Sequence, residues 1–211
     1  MQQESERRSN RDRTEATRAD LIAAARKLFT EKSYAETGTP EIVAAAGVTR
    51  GALYHHFADK QALFAAVVEQ EAQAVAEEID RASPPSFEAR DALIAGSGAY
   101  LTAMRAPGRT RLLLLDGPAV LGRAAMDAIE NRHGNRSLRE GLVAAMRANM
   151  MTRLPADALT ALLASAFDRA ALAIEAGASA EDYRAVLIAL IDGLSPVPPH
   201  ARQAPPPART R

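Results

Sequence analysis

Apolar residues recur along this chain at spacings of three and four, and no stretch alternates as a strand does. The helical period begins at Thr14, and Leu21, Ile22, Ala25, Leu28 and Phe29 form one stripe. Thr39-Pro40 predicts a second start: a threonine cap, then a proline where no N–H is needed. Ile42, Val43 and Ala46 form the buried side of this short helix. Gly47 ends it in the left-handed conformation that glycine adopts at little cost. Val48 plugs the turn, and Thr49 caps a helix from Arg50 to about His56. Asp59 caps a longer one, 59–81, striped by Leu63, Phe64, Val67, Val68, Val75 and Ile79.

Ser83-Pro84-Pro85-Ser86 interrupts the period, which predicts a joint between a domain at 14–60, with its connecting helix 59–81, and a second at 84–195. Further helices are predicted at about 87–105, 108–116, 119–133, 136–151, 156–176 and 180–194. Residues 1–13 carry no apolar period and read as a flexible arm. Its Arg7, Arg8, Arg11 and Arg13 can touch phosphate, but beside offsetting acids they read first as a solvated tail. The proline-rich end, 196–211, reads as disordered. The fold class expected is all-α.

Composition agrees. Leucine and alanine dominate the apolar set and only 4% of the 211 residues are aromatic. The absence of cysteine excludes disulfides and thiolate metal sites and points to a reducing cytoplasm. No apolar run approaches the roughly 20 residues that span a bilayer, so no membrane partner is expected. Lys plus Arg balance Asp plus Glu at 26 each, so a case for nucleic acid must rest on local geometry rather than bulk charge.

That geometry is a pair of short helices, Thr39 to Ala46 and Arg50 to His56, joined by Gly47-Val48-Thr49. Two helices about a glycine turn suit a helix–turn–helix, whose second helix enters the DNA major groove, though such hairpins also occur in ordinary cores. Leu53 and Phe57 can face inward with Val48, leaving Arg50, Gly51, Tyr54 and His55 for a partner. Metal binding by His55 and His56 is disfavoured, because adjacent helical residues point about 100° apart. Gly51 weakens a helix by about 1 kcal/mol, which a close approach of backbone to DNA explains better than a tolerated defect.

Residues 14–68, in particular LIAAARKLFTEKSYAETGTPEIVAAAGVTRGALYHHFADKQALFAAV with its block VTRGALYHHFADKQALF, resemble the DNA-binding domain of the TetR family of bacterial transcriptional regulators. The rest resembles that family by plan, with a weaker local likeness in RLLLLDGPAVLG. The resemblance implies a three-helix helix–turn–helix domain followed by a helical domain for ligand binding and dimerisation. It implies that Thr49, Tyr54 and Lys60 hold phosphate, that Gly51 lets bases approach, and that Arg50 and His55 lie at the groove. It places Thr37 and Thr39 where hydroxyls meet the DNA backbone. Two positions depart from the family pattern: Ser33 stands where glycine is usual, and Gly38 where a hydroxyl is usual.

The same plan implies a homodimer through helices 156–176 and 180–194, binding a palindrome in double-stranded DNA, with an unknown small-molecule effector and no cofactor. Leu159, Leu162, Leu163, Ala166, Phe167, Ala170 and Ile174, then Val186, Leu187, Leu190, Ile191 and Leu194, give these helices broad apolar sides that suit a dimer face or a core equally. Tyr100, Met104, Leu114, Met126, His133, Met146 and Phe167 are candidate effector contacts, and Arg111, Asp116 and Arg123 are polar anchors or surface charges. An enzyme is the rival class, using His55, His56, His133 or His200, but the chain has no nucleophile elbow, Gly-rich phosphate loop or HExxH motif. A helical ligand-binding protein without DNA binding is the other alternative.

Overall fold

The computed structural model describes residues 2–84 and 86–195, with side chains from Arg13 onward. The proline-rich tail and His200 lie outside the described residues, and no strand occurs among those described. Helix α1 spans Gln2–Lys32, so helix replaces the predicted arm. Glutamate, glutamine and arginine favour helix strongly enough to extend one that has no apolar stripe. Its end falls at Ser33, whose φ of 101° lies in the left-handed region.

Helices α2 (Thr39–Ala46), α3 (Arg50–His56) and α4 (Lys60–Ala82) follow the predicted order. The cap of α2 is Gly38, in extended backbone, rather than Thr39; the Glu41 carboxylate reaches back to the Gly38 N–H at 3.4 Å. Thr49 caps α3 by accepting from the Ala52 N–H at 3.2 Å, and Asp59 caps α4 by accepting from Ala62 at 2.7 Å. Leu21, Phe29, Ile42, Leu53, Leu63 and Phe64 are fully buried between α1 and α4. The Phe64 ring meets Phe29 at 5.3 Å and Tyr34 at 4.9 Å, both edge-on.

Beyond residue 86 come α5 (Ala89–Ala103), a π-helical segment (Arg111–Asp116), α6 (Gly117–Leu121), α7 (Arg123–Arg132), α8 (Gly134–Arg147), α9 (Ala156–Glu175) and α10 (Ala180–Asp192). Two predictions need correction. The helix expected over 119–133 is two helices, parted at Gly122 with φ 82°. The one expected over 108–116 is π-wound, with the Gly117 N–H donating to the Leu112 carbonyl five residues back. Pro118, next in line, has no N–H to give and its ring crowds the carbonyl four residues back, which disfavours a regular α-turn there.

The core does not break at 83–86. One buried cluster runs from Leu21 through α4 to Met104, Leu112, Met126 and Ile129. A second joins α5 to α8, α9 and α10 through Leu93, Leu142, Phe167 and Leu187. A buried ionic knot fastens the halves. Glu71 on α4 accepts from Arg26 Nε of α1 at 2.6 Å and from Arg109 Nε at 2.8 Å. Arg109 also donates to Glu78 at 3.0 Å and to the Ala103 carbonyl at 2.7 Å. Burial raises the Glu71 pKa, but hydrogen bonds from Arg26 and Arg109 outweigh it and hold the carboxyl below its ordinary value.

Candidate functional site

The turn between α2 and α3 is built on Gly47 at φ 67°, with the Val48 N–H donating to Val43 at 3.0 Å. Leu53 and Phe57 are buried, which fixes how α3 rolls. Thr49, Arg50, Gly51, Tyr54 and His55 are therefore left on its outer surface. The Thr49 oxygen accepts at the cap, so its O–H is free to donate outward. The Arg50 guanidinium lies 5.5 Å over the Tyr54 ring. Hydrogen bonding to Thr39 first, and to Arg50 second, holds the Tyr54 phenol below its usual pKa, and so joins α2 to α3 on the outer face. His56 is half-buried edge-on to His55, their rings 5.3 Å apart. Burial first, then the charges of His55 and Arg18, keep its pKa down. A Cβ placed on Gly51 meets nothing nearer than the Thr49 hydroxyl oxygen, at 3.8 Å. No neighbour within the chain requires glycine there.

A cavity of about 340 Å³ lies among α4, α5, the π segment and α7 to α9. Val75, Leu93, Met104, Leu114, Met126 and Phe167 are among the apolar residues of its wall. Its polar end holds Tyr100, Glu130 and Asp168. The Tyr100 hydroxyl donates to Asp168 Oδ1 at 2.6 Å. Burial, then the Asp168 charge, pushes the Glu130 carboxyl up to about 7. Burial also raises Asp168, against the lowering effect of the Tyr100 hydrogen bond, and raises Tyr100 well above its usual value.

Residues 21–67 match the family model described as bacterial regulatory proteins, tetR family, and residues 90–196 match that of a tetracyclin repressor-like C-terminal domain. The chain belongs to the TetR family. A TetR-family transcriptional regulator from Pectobacterium atrosepticum is 34% identical, with a TM-score of 0.71, over 89% of this chain and 98% of that one. The transcriptional regulator AcrR of Shigella flexneri is 40% identical over 62 residues, 29% of each chain. The repressor AcnR of Corynebacterium efficiens is 34% identical over 68 residues, 32% of this chain and 36% of that protein. The likeness to these two curated relatives thus spans about a third of their length. These relatives are named as regulators, not enzymes.

In this TetR-family chain the predicted site residues divide. Thr39, Thr49, Arg50, Gly51, Tyr54 and His55 share one outer surface. Thr37 does not: it is buried, its hydroxyl donating to the Ser33 carbonyl at 2.7 Å, because the α1–α2 turn needs that bond more than it can spare the group. Lys60 is also redirected. Its ammonium donates to the carbonyls of Tyr34 at 2.9 Å and Thr37 at 3.0 Å and lies 4.1 Å over the Tyr34 ring, fastening α4 to that turn. Of the effector candidates, Tyr100, Met104, Leu114, Met126 and Phe167 line the cavity. His133 instead pairs with Glu69 at 2.6 Å where α7 meets α8, and Met146 packs in the second core cluster. Arg111 pairs with Asp116 at 3.3 Å in a half-buried position, whereas Arg123 pairs with Asp127 at 2.8 Å as an exposed surface pair. Glu130 and Asp168 were not singled out by pattern. The available signal was a carboxylate beside an apolar core residue, Ile129-Glu130 and Phe167-Asp168.

Proposed function

We propose that the protein is a ligand-responsive transcriptional regulator that binds a palindromic site in double-stranded DNA as a homodimer, and acts as a repressor. The observation that carries this reading is the outer face of α3. It offers a free hydroxyl, a guanidinium, a phenol and an imidazole around a glycine that nothing inside the chain calls for. Thr49 and Tyr54 are assigned to phosphate and Arg50 and His55 to the groove.

The dimer reading rests on the outer sides of α9 and α10. Leu163, Phe167, Leu187 and Ile191 point into the chain's own core, whereas Leu162, Val186 and Leu190 remain 71%, 58% and 48% exposed. A second copy of the pair covers them most simply. The effector reading rests on the cavity. Its wall includes Leu113 and Leu114 of the π segment, which also packs against α1 and α4. A ligand that favours one packing of that segment shifts how the two helix–turn–helix domains of a dimer are arranged, and with it DNA affinity.

The test is fluorescence anisotropy with palindromic DNA from the region upstream of the protein's own gene, across a salt series. Saturable binding that weakens with salt and prefers the palindrome over scrambled duplex is expected. Equal, unsaturable binding to both would sink the reading.

A further inference from the structure

We infer that the cavity takes an amphipathic organic cation, its apolar body among the methionine, leucine and phenylalanine side chains and its protonated amine between Glu130, Asp168 and the Tyr100 hydroxyl. The inference rests on the effector-binding reading above and names the chemistry of that site.

The first ground is the sign of the wall. The charged residues lining the cavity are Asp80, Glu130, Glu140 and Asp168, with no Lys, Arg or His among the lining residues. Asp80 and Glu140 lie at the exposed rim and are occupied: Ser137 donates to Asp80 at 2.7 Å, and Arg136 stands 3.5 Å from Glu140. The inner pair is different. Asp168 has one hydrogen bond, from Tyr100, and among the described residues no cation within ion-pair distance. Glu130 has Arg123 at 3.5 Å, but that guanidinium is mostly exposed and closer to Asp127, at 2.8 Å.

The second ground is position. Glu130, Asn135, Ala164 and Asp168 also line an outer, polar hollow, so the carboxylate pair forms the wall between an oily interior and water. The arginines facing that hollow are engaged, Arg123 with Asp127, Arg139 with Asp157 at 2.7 Å and Arg136 with Glu140. A cavity shaped this way holds an apolar body within and a charged head at the boundary. Two half-buried carboxyl groups whose nearest cation, Arg123, is mostly exposed and shared with Asp127 are an unfavourable arrangement that an ammonium group relieves. Because Glu130 is held near half-protonation at neutral pH, ammonium binding displaces its proton. Affinity for the amine therefore rises by up to about tenfold per pH unit below 7 and levels off above it.

The experiment is calorimetry on the full-length protein with three probes of one shape: phenylbutylamine, phenylbutanol and phenylbutyrate. The amine is expected to bind at least about tenfold more tightly than the alcohol, and the carboxylate most weakly. In Glu130→Gln and Asp168→Asn the amine should fall to the alcohol's level while the alcohol still binds, which also reports that the cavity is intact. Tyr100→Phe should cost the amine about threefold. An alcohol or carboxylate that matches the amine, a preference that survives both carboxamide variants, or no binding by any probe overturns the inference. Should both variants lose the alcohol as well, the order of the three probes on the unaltered protein decides alone. DNA binding is measured separately without probe. Amine binding without DNA binding would refute the regulator and leave this inference standing, and the reverse result would do the opposite.

Discussion

The head formed by α1 to α3 with the start of α4 and the chamber enclosed by α4 to α9 solve opposite problems. In the head, polar groups are matched locally: buried Thr37 gives its proton to Ser33, half-buried Lys60 caps two carbonyls, and exposed Asp59 and Thr49 close helix starts. Three rings pack in its core, Phe64 edge-on to Phe29 and to Tyr34, and Phe29 tilted against Tyr34. The chamber keeps open volume and holds Glu130 and Asp168 half-buried with raised pKa values. A head that must present α3 in one orientation gains from matching its polar groups locally, and among its described residues the Thr30 hydroxyl of α1 is buried without a partner. A chamber that must respond to a ligand gains from groups left wanting a partner.

Truncating one ring in each region tests this most severely. Phe64→Ala should cost about 3–5 kcal/mol, because Phe64 is fully buried against Phe29 and Tyr34. Phe167→Ala should cost roughly half as much, since Phe167 already fronts open space and has fewer contacts to lose. Thermal or urea unfolding reads both. Equal losses would mean the chamber is as tightly packed as the head.

The next effect reverses sign. Burial pushes the Glu130 pKa in the folded chain up to about 7, well above its ordinary carboxylate value, so the folded state binds its proton more tightly than the unfolded chain. Its burial therefore costs nothing below pH about 4, costs increasingly as pH rises through the interval, and costs roughly 1–3 kcal/mol above pH about 7. Glu130→Gln should raise unfolding stability at pH 8 and change it little at pH 4. Glu71 runs the other way: its pKa is lowered, so its contribution is present above the ordinary carboxylate range and fades as pH falls through the folded value. A stability loss from Glu130→Gln at pH 8 would remove the contrast between the regions.

On the head's outer face the effects are on binding. Arg50→Ala should weaken palindrome affinity by about tenfold or more and narrow the gap to scrambled duplex, if its guanidinium reaches a base. Tyr54→Phe should lower affinity for every duplex alike, by a few-fold, because a phosphate contact carries no sequence. Anisotropy titrations at one salt concentration distinguish the two. Identical profiles would assign both to phosphate.

How much of each region could be read beforehand follows the same division. Leu53, Phe57, Gly47 and Thr49 were legible because a short helix–turn–helix leaves each position one task, set by neighbours within a few residues. Family likeness places Thr37 and Lys60 near DNA, and the intrachain task each has was not legible because the partners lie across a turn, Thr37 with Ser33 and Lys60 with Tyr34. The chamber was less legible. Apolar period marked Phe167 and Leu162 alike, and only packing turned one inward and left the other 71% exposed. Glu130 and Asp168 meet through space from α7 and α9, and no local spacing announces that. The break at Gly122 and the π-winding before Pro118 were missed because apolar period continues through both.

The smallest effects lie within the head, at two positions whose residues look exchanged. Ser33 carries a side chain at φ 101°, where glycine fits, and Gly51 lacks one in ordinary helix, where alanine fits. Ser33→Gly relieves backbone strain of about 1–2 kcal/mol, offset by the greater freedom glycine gives the unfolded chain and by loss of the Ser33 hydroxyl's 3.3 Å contact with the Glu36 N–H. A net gain of up to about 1 kcal/mol is expected. Gly51→Ala should gain a similar amount, up to about 1 kcal/mol of helix propensity, with ordinary contact to Thr49. The two variants should therefore raise the unfolding midpoint alike and part on DNA. Ser33→Gly should leave duplex affinity unchanged, because that residue closes a helix away from α3. Gly51→Ala should lower it, because the added methyl occupies space that only a partner fills. A Gly51→Ala protein that is more stable and binds DNA undiminished would leave the glycine without a reason and remove the observation on which the DNA-facing assignment of α3 rests.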